Sequence, residues 1–280
     1  MGYLTEEKEQ LLKDKATAIR ETIIRMLVAA KSGHTAGPLG MTDIFTAFYF
    51  HILNHDPKNP DLPERDRLIL SNGHIVPVRY AAMAHAGYFP VEECLTLRKL
   101  GSRLQGHPER DMLPGLETTS GPLGSGLSQA AGIAYGARMD QKKFRTYCLL
   151  SDGELQEGNS WEGAMFAGAN KLSNLTTIID RNNIQITGMT EEIMALEPLA
   201  DKWKSFGWHV IEIDGHNMEE IVDAVEQAKA IYEKPTVIIA HTIPGKGVKE
   251  IEFDYHWHGN PPKKEQEESF IAQIREAAKH

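Results

Sequence analysis

The sequence predicts an α/β fold with a mostly parallel sheet and helices on both of its faces. Two apolar runs, residues 146–150 and 175–180, have the length of buried strands, and a helix-like segment, residues 159–172, lies between them. A strand, a helix and a strand of these lengths form a right-handed βαβ crossover, in which the two strands are parallel. Further helix and strand patterns alternate around this unit, which is typical of α/β domains.

The segment before the central unit is mostly helical. Residues 5–31 form an amphipathic helix because apolar side chains recur on one side of it: Leu11, Leu12, Ile19, Ile23, Met26 and Leu27. The elements predicted after it are an apolar helix at 41–53, a short strand at 67–70, helices at 74–85 and 91–99, an irregular polar segment at 104–120 and a tightly packed helix, rich in Ala and Gly, at 125–139.

The segment after the central unit continues the alternation. It is predicted to contain a loop at 185–190, a helix at 200–206, a strand at 210–213, a helix at 218–232 and a strand at 236–241. Pro261 and Pro262 then break the chain. We therefore expect one domain over residues 1–262, followed by a charged C-terminal helix, residues 263–280, with Phe270, Ile271 and Ile274 on one side.

Composition excludes several classes of protein. A net charge of −9 argues against electrostatic binding of nucleic acid. No apolar run is long enough to span a membrane, and the polar N-terminus, residues 1–7, does not resemble a signal peptide. Two cysteines, Cys94 and Cys148, make no disulfide framework, and Cys148 lies in a predicted core strand. These features predict a cytoplasmic enzyme.

Polar residues follow both strands of the central unit. Asp152 follows the first strand, and Asn182 follows the second. Since the carboxyl ends of parallel strands open onto one crevice, both side chains should face the same pocket. Their oxygens suit Mg²⁺, which completes its shell with phosphate and water. An Asp at a helix start and an Asn-Asn turn are also common structural features, so this pair alone leaves both interpretations open.

Four further segments carry residues suited to a site. Ser32-Gly33-His34, Ser71-Asn72-Gly73-His74 and Gly106-His107-Pro108-Glu109 each place a histidine after a glycine, where a side chain is exposed and the backbone can approach a ligand. The fourth, residues 119–126, is a glycine-rich stretch before a helix. A single histidine is more often structural than catalytic, but four such segments in one chain favour a functional site.

Ser151-Asp152-Gly153, followed about thirty residues later by Asn182-Asn183, resembles the thiamin diphosphate fingerprint, with Ser151 in place of the usual first glycine. Together with the four segments, and in the same order, it resembles the amino-terminal half of transketolase over nearly the whole chain. The resemblance implies the diphosphate-type domain of the thiamin diphosphate-binding fold. It also implies thiamin diphosphate and Mg²⁺ (or Ca²⁺) as cofactors.

The resemblance further implies a role for individual residues. The metal ligands would be Asp152, Asn182 and the carbonyl of Ile184. The cofactor would be bound by His74, Gly121, Pro122, Leu123, Asp152, Gly153, Asn182 and His258. His34, His107 and His258 would serve catalysis by contacting substrate. Glu157 would be the buried carboxylate that links two cofactors across a dimer. In place of a lysine that many members have, this chain has Pro244, two residues before Lys246.

The resemblance also implies a missing half. In transketolases the glutamate that activates the cofactor for ylide formation and the arginines that bind sugar phosphate belong to a second, pyrimidine-binding domain. We therefore expect a split transketolase of the pentose phosphate pathway, in which this chain needs a carboxy-terminal subunit, or, less favoured, a truncated chain. The expected assembly is an α₂β₂ heterotetramer. Its reaction would transfer a two-carbon ketol unit between sugar phosphates.

Three alternatives share part of this pattern. Another thiamin enzyme, similar to 1-deoxyxylulose-5-phosphate synthase or to the alpha subunit of a 2-oxoacid dehydrogenase, shares the Asp152 and Asn182 element but not Gly-His-Pro-Glu. A non-catalytic regulatory subunit would not need all four histidines. A zinc site at His256 and His258 lacks a third ligand in a matching context.

Overall fold

The structure, a computed structural model, describes residues 4–279. Its strands, in chain order, are β1 (Arg67–Leu70), β2 (Thr146–Ser151), β3 (Leu175–Arg181), β4 (Ile184–Gln185), β5 (Gly188–Met189), β6 (His209–Asp214) and β7 (Thr236–His241). Five of them form one sheet in the order β1-β2-β3-β7-β6, and every neighbouring pair in it is parallel. β4 and β5 form a separate antiparallel hairpin.

Ten α-helices are found in the described residues: α1 (Glu6–Ala30), α2 (Ala36–Gly40), α3 (Thr42–Ala47), α4 (Val76–Ala86), α5 (Ser125–Met139), α6 (Gly158–Ala169), α7 (Thr190–Ile193), α8 (Leu199–Ser205), α9 (Met218–Ala230) and α10 (Glu267–Ala277). A π-helical turn (Phe48–Ile52) extends α3. Short 3₁₀ turns occur at Gly73–Ile75, Val91–Thr96, Gly153–Gln156, Tyr255–Trp257 and Lys264–Gln266.

The sheet lies between two hydrophobic clusters, because successive side chains of a strand point to opposite faces. Tyr147 and Leu149 of β2 belong to the cluster that contains side chains of α1, α3, α4, α9 and α10. Cys148 and Leu150 belong to the other, which contains side chains of α5, α6 and α8. The result is the three-layered α/β arrangement that the sequence predicts, with helices on both faces of a parallel sheet.

The register of the sheet brings the site residues together. Ser151 at the end of β2 pairs with Asp180 near the end of β3, and Asp180 pairs in turn with Ala240 of β7. The residues that follow these strands therefore leave the sheet at one edge. Asp152, Asn182 and Thr242 all lie there, as expected for a binding crevice at the carboxyl ends of parallel strands.

Most predicted elements are present within a few residues of their expected bounds, but two differ. The predicted loop at 185–190 contains the β4–β5 hairpin and the start of α7, and a hydrogen bond from the Thr190 N–H to the Asn183 carbonyl closes this segment (3.0 Å). The predicted helix at 91–99 is a 3₁₀ turn that ends at Thr96. Arg98 beyond it adopts a left-handed backbone (φ 59°) and pairs with Leu104 instead.

The C-terminal helix packs onto the first one. Phe270, Ile271 and Ile274 of α10 are buried in the same cluster as α1, and the Arg275 guanidinium donates to both carboxylate oxygens of Glu21 (2.7 and 2.8 Å). The division of the chain at residue 262 stays a prediction, and His280 lies outside the described residues. Over residues 4–279, none of the helices combines the length and the apolar character needed to cross a bilayer.

Candidate active site

Asp152 is a buried carboxylate fixed between two strand ends. It starts the 3₁₀ turn after β2, where its Oδ1 accepts a hydrogen bond from the Gly153 N–H (2.7 Å). Its Oδ2 accepts from the Asn183 N–H beyond β3 (2.6 Å) and from the Arg181 guanidinium (3.1 Å). Burial raises the pKa of Asp152 to about 6, and these donors oppose that shift. The Asp152 carboxylate is thus fixed at the carboxyl end of the sheet, where its two oxygens act as acceptors.

Asn182 is oriented by a buried neighbour. Its amide nitrogen donates to Oδ2 of Asp180 (2.8 Å), and Oδ1 of Asp180 accepts from the Thr242 hydroxyl. The side-chain oxygen of Asn182 accepts from the Ile184 N–H (3.0 Å) and, as an amide carbonyl, has a second lone pair. Burial raises the pKa of Asp180 to about 7. The contact of the amide nitrogen with Asp180 turns the side-chain oxygen of Asn182 toward Ile184.

The residues at this edge fit a hard cation and a diphosphate. A carboxylate, a side-chain amide and a backbone carbonyl are the oxygen ligands that Mg²⁺ and Ca²⁺ prefer. Buried polar atoms without a protein partner occur on neighbouring segments: both amide atoms of Asn72 after β1, the Ser120 hydroxyl beside Gly73, and Oε1 of Gln185 beside Gly153. Such atoms are costly unless a ligand or water satisfies them. In residues 4–279 no cluster of three His, Cys, Asp or Glu side chains suits a metal, so the zinc alternative at His256 and His258 gains no support.

Arg181 is a cation that the sequence did not reveal. Its side chain is almost fully buried and bridges Asp152 to the segment after β5, where it bonds the Thr190 hydroxyl (3.0 Å), Glu191 (2.7 Å) and Glu197 (2.9 Å). Its place next to Asp180, at the end of an apolar run, does not separate it from an ordinary surface arginine. Arg181 therefore balances the charge of Asp152 and ties it to α7.

Three of the predicted histidines form a cluster. The ring centroids are 4.8 Å apart for His34 and His74, 5.2 Å for His74 and His258, and 5.5 Å for His34 and His258. Burial lowers the pKa of all three, to about 4 for His34 and well below the ordinary value for His74. Mutual repulsion lowers the pKa of His34 and His74 further. The cluster is therefore uncharged at neutral pH.

His107 lies beside this cluster, on a cavity of about 830 Å³ whose wall also includes Ser32, Arg98, Glu109 and Ser120. The residue is exposed overall, but partial burial of its imidazole and the charge of Arg98 lower its pKa. Arg98 donates to the Ser32 hydroxyl (2.9 Å) and was missed in the sequence, because nothing in the Leu97-Arg98-Lys99 run separates it from a surface residue. Next to His107, the wall of the cavity therefore carries one positive charge, on Arg98, and one negative charge, on Glu109.

The glycine-rich loop before α5 lies over the end of β2. Gly124 has a left-handed backbone (φ 82°), and a Cβ on it would lie 2.9 Å from the Cβ of Glu157. Pro122 and Leu123 are exposed, and a Cβ on Gly121 would meet open space. Glu157 is itself exposed on this chain. Its burial against a second protomer therefore stays a prediction.

Residues 12–277 match the family model described as transketolase, thiamine diphosphate binding domain. The chain is 46% identical over 241 residues to the 6-deoxy-6-sulfo-D-fructose transketolase subunit SqwG of Clostridium sp. (strain MSTE9), covering 86% of this chain and 88% of that protein. It is 40% identical over 257 residues to an apulose-4-phosphate transketolase subunit of Phocaeicola vulgatus, covering 92% of this chain and 91% of that protein.

Among solved structures, the transketolase of Campylobacter jejuni superimposes with a TM-score of 0.89 at 38% identity. The match covers 96% of this chain and 43% of that one. The chain thus spans less than half of a full-length transketolase, and most of the length of the two transketolase subunits. By sequence and by structure, this chain belongs to the transketolase family and carries its thiamine diphosphate-binding domain.

Proposed function

We propose that this chain is the diphosphate- and metal-binding subunit of a split transketolase. The enzyme would move a two-carbon ketol unit from a ketose phosphate to an aldose phosphate, and a second subunit would supply the activating glutamate. The observation that carries the proposal is the position of Asp152 and Asn182 at adjacent strand ends, in a fold whose relatives are named transketolase subunits.

The oxygen-bearing residues would hold the cofactor. Asp152, Asn182 and the Ile184 carbonyl would ligate Mg²⁺ or Ca²⁺, and Gly153, His74 and His258 would contact the diphosphate. The loop of Gly121, Pro122 and Leu123 would approach the cofactor through its backbone. Thiamin diphosphate, when bound, supplies the nucleophilic carbon that takes up the ketol unit.

The histidines would act on substrate oxygens. A neutral imidazole has one donor and one acceptor nitrogen, whereas a charged one has donors only. The lowered pKa values of His34 and His258 keep both functions available at neutral pH. Nδ1 of His34 is buried and has no protein partner, so a ligand could satisfy it. His34, His107 and His258 can therefore bind sugar hydroxyls and move protons between them.

The cavity beside His107 would admit an anionic sugar. Arg98 supplies a positive charge on its wall, and guanidinium groups bind phosphate and sulfonate oxygens well. The two relatives are named for a sugar phosphate and for a sulfonated sugar. We infer a sugar phosphate as the substrate, with a sulfonated sugar as the alternative to compare in the same assay.

A second subunit would complete the site. The relatives named as subunits support the existence of a partner subunit, which would carry the pyrimidine-binding domain. An α₂β₂ assembly would follow the preference of oligomers for closed symmetry. In that assembly Glu157, exposed on this chain, would lie near the twofold axis. The Gly- and Ala-rich helices α5 and α6 pack on the sheet through their buried side chains, and their outer faces would pack at the interface.

Calorimetric titration of thiamin diphosphate into the co-purified pair tests the proposal. We expect saturable binding with Mg²⁺ or Ca²⁺ and its loss when EDTA removes the cation. Cofactor binding of equal affinity with and without the cation would contradict the metal assignment. No cofactor binding under either condition would instead indicate a non-catalytic subunit.

A further inference from the structure

Glu154 is a fully buried acid in the 3₁₀ turn after β2. Its Oε1 accepts hydrogen bonds from the Gly124 N–H (2.6 Å) and from the Ser71 hydroxyl, and its Oε2 accepts from the Ser151 N–H (3.2 Å). Ser71 follows β1, Ser151 ends β2, and Gly124 precedes α5. One side chain therefore joins two strand ends to the glycine-rich loop.

Ser71 extends this contact to a second point of the loop. Its hydroxyl donates to Glu154 and accepts from the Gly126 N–H (3.0 Å). The loop lies so close that a Cβ on Gly126 would be 2.3 Å from the Cβ of Ser71. The loop backbone is thus fixed at Gly124 and at Gly126, on either side of the first residue of α5.

The chemistry of the contact requires a carboxylate. The three donors that the structure shows at Glu154 are neutral, and the side chain is fully buried. A buried acid is costly for stability. A carboxylate, however, accepts from all three donors, whereas a glutamine amide would turn an N–H₂ group toward one of them. Stability alone would favour a smaller neutral side chain at this position.

We propose that Glu154 is a positioning residue that, through Ser71, fixes the backbone of residues 121–126 in the conformation that receives the cofactor. This inference rests on the proposed function, in which Gly121, Pro122 and Leu123 contact thiamin diphosphate. Pro122 and Leu123, at the tip of the loop, are exposed and gain little from packing. The hydrogen bonds of the Gly124 and Gly126 N–H groups therefore hold the loop against the end of β2.

The test compares Glu154→Gln and Ser71→Ala with wild type in the co-purified pair, with Mg²⁺ present. The exposed Glu233→Gln is the matched control. We expect each of the two variants to weaken thiamin diphosphate affinity by about tenfold or more, as for loss of a hydrogen bond to a charged group. The double variant should be little worse than either single one, because the two residues act as a unit. Turnover at saturating cofactor should stay within a few fold of wild type.

Amide hydrogen exchange on the chain without cofactor supplies a second readout. Gly124 and Gly126 should exchange faster in Glu154→Gln, while the amides of β2 and β3 keep their protection. Lower thermal stability with unchanged cofactor affinity would overturn the positioning role. If Glu154→Gln fails to fold, Ser71→Ala decides by the same criterion. Absence of cofactor binding in wild type would overturn the proposed function. Equal cofactor binding by wild type and all variants would instead overturn only the positioning role of Glu154.

Discussion

Asp152 and Asn183 are joined across two strands: Oδ2 of Asp152 accepts a hydrogen bond from the Asn183 N–H at 2.6 Å. The residue that follows β2 is therefore tied to the turn that follows β3. This contact places the Asp152 carboxylate next to Asn182 and Ile184, the other proposed metal ligands. Hydrogen bonds between the two strand ends thus bring these residues together.

Replacement of Asp152 should remove metal-dependent cofactor binding. Asp152→Ala deletes the only charged ligand in the proposed set, and Asp152→Asn keeps the shape but not the charge. We expect cofactor affinity in the co-purified pair to be lost in the first variant and strongly weakened in the second, as measured by calorimetry. Asp201→Asn, on the exposed side of α8, is the control. Unchanged affinity in Asp152→Ala would contradict the assignment.

Replacement of His107 should affect substrate rather than cofactor. His107→Ala should lower turnover or raise the substrate KM, since proton transfer and hydrogen bonding of this kind contribute about 10²–10⁴-fold in rate. Thiamin diphosphate affinity should stay near that of wild type, and so should the affinity of the exposed control His241→Ala. Because His107 is exposed overall, the variant should fold. A variant that does not fold would show that the residue is structural.

The histidine cluster should make stability fall in mild acid. His34 has a pKa of about 4 in the folded chain against 6.5 for the ordinary side chain, so the unfolded chain binds more protons between these values. The contribution of His34 is therefore complete above pH 6.5 and is lost as pH falls toward 4. His74, His258, His107 and Arg98 all add positive charge near it when protonated.

Urea unfolding at pH 7.5 and pH 5.5 measures this effect. The free energy of unfolding should fall more between the two pH values for wild type than for His34→Asn. A replacement of the exposed His241 should behave as wild type does. Equal losses in wild type and His34→Asn would contradict the proposed effect of burial on His34.

Loss of Arg181 should destabilise the fold. Arg181→Met would leave the buried Asp152 without its cation and would free Glu191 and Glu197. Breaking a buried pair from one side costs about 3 kcal/mol or more. Arg25→Met, which removes the exposed partner of Glu21 and leaves its pair with Arg275, should cost less than about 1 kcal/mol. Chemical denaturation measures the free energy of unfolding of both variants. A similar loss of stability in Arg181→Met and Arg25→Met would show that Arg181 does not balance the buried charge of Asp152.

The sequence predicted the features that depend on local patterns. The strand Arg67–Leu70 and the helix Ser125–Met139 have their predicted bounds, because apolar periodicity and flanking turn residues define both. Asp152 and Asn182 were found because residues that follow parallel strands share an edge. The roles of these and the other site residues stay predictions that the experiments above address.

The residues that the sequence missed depend on long-range contacts. The role proposed for Glu154 depends on hydrogen bonds from Ser71, 83 residues away, and from Gly124, 30 residues away. The role of Arg181 depends on its ion pairs with Glu191 and Glu197, which approach it only because the chain turns back after β5. The β4–β5 hairpin has two residues in each strand, too few for a periodic signal.

Two-carbon transfer measured with and without the partner subunit tests the central claim most directly. The assay uses the purified 280-residue chain, thiamin diphosphate, Mg²⁺, a ketose phosphate and an aldose phosphate. We predict no transfer by the chain alone and transfer by the reconstituted pair, lost again when Asp152→Ala replaces the wild-type chain. Robust transfer by the 280-residue chain alone would contradict the split-enzyme proposal.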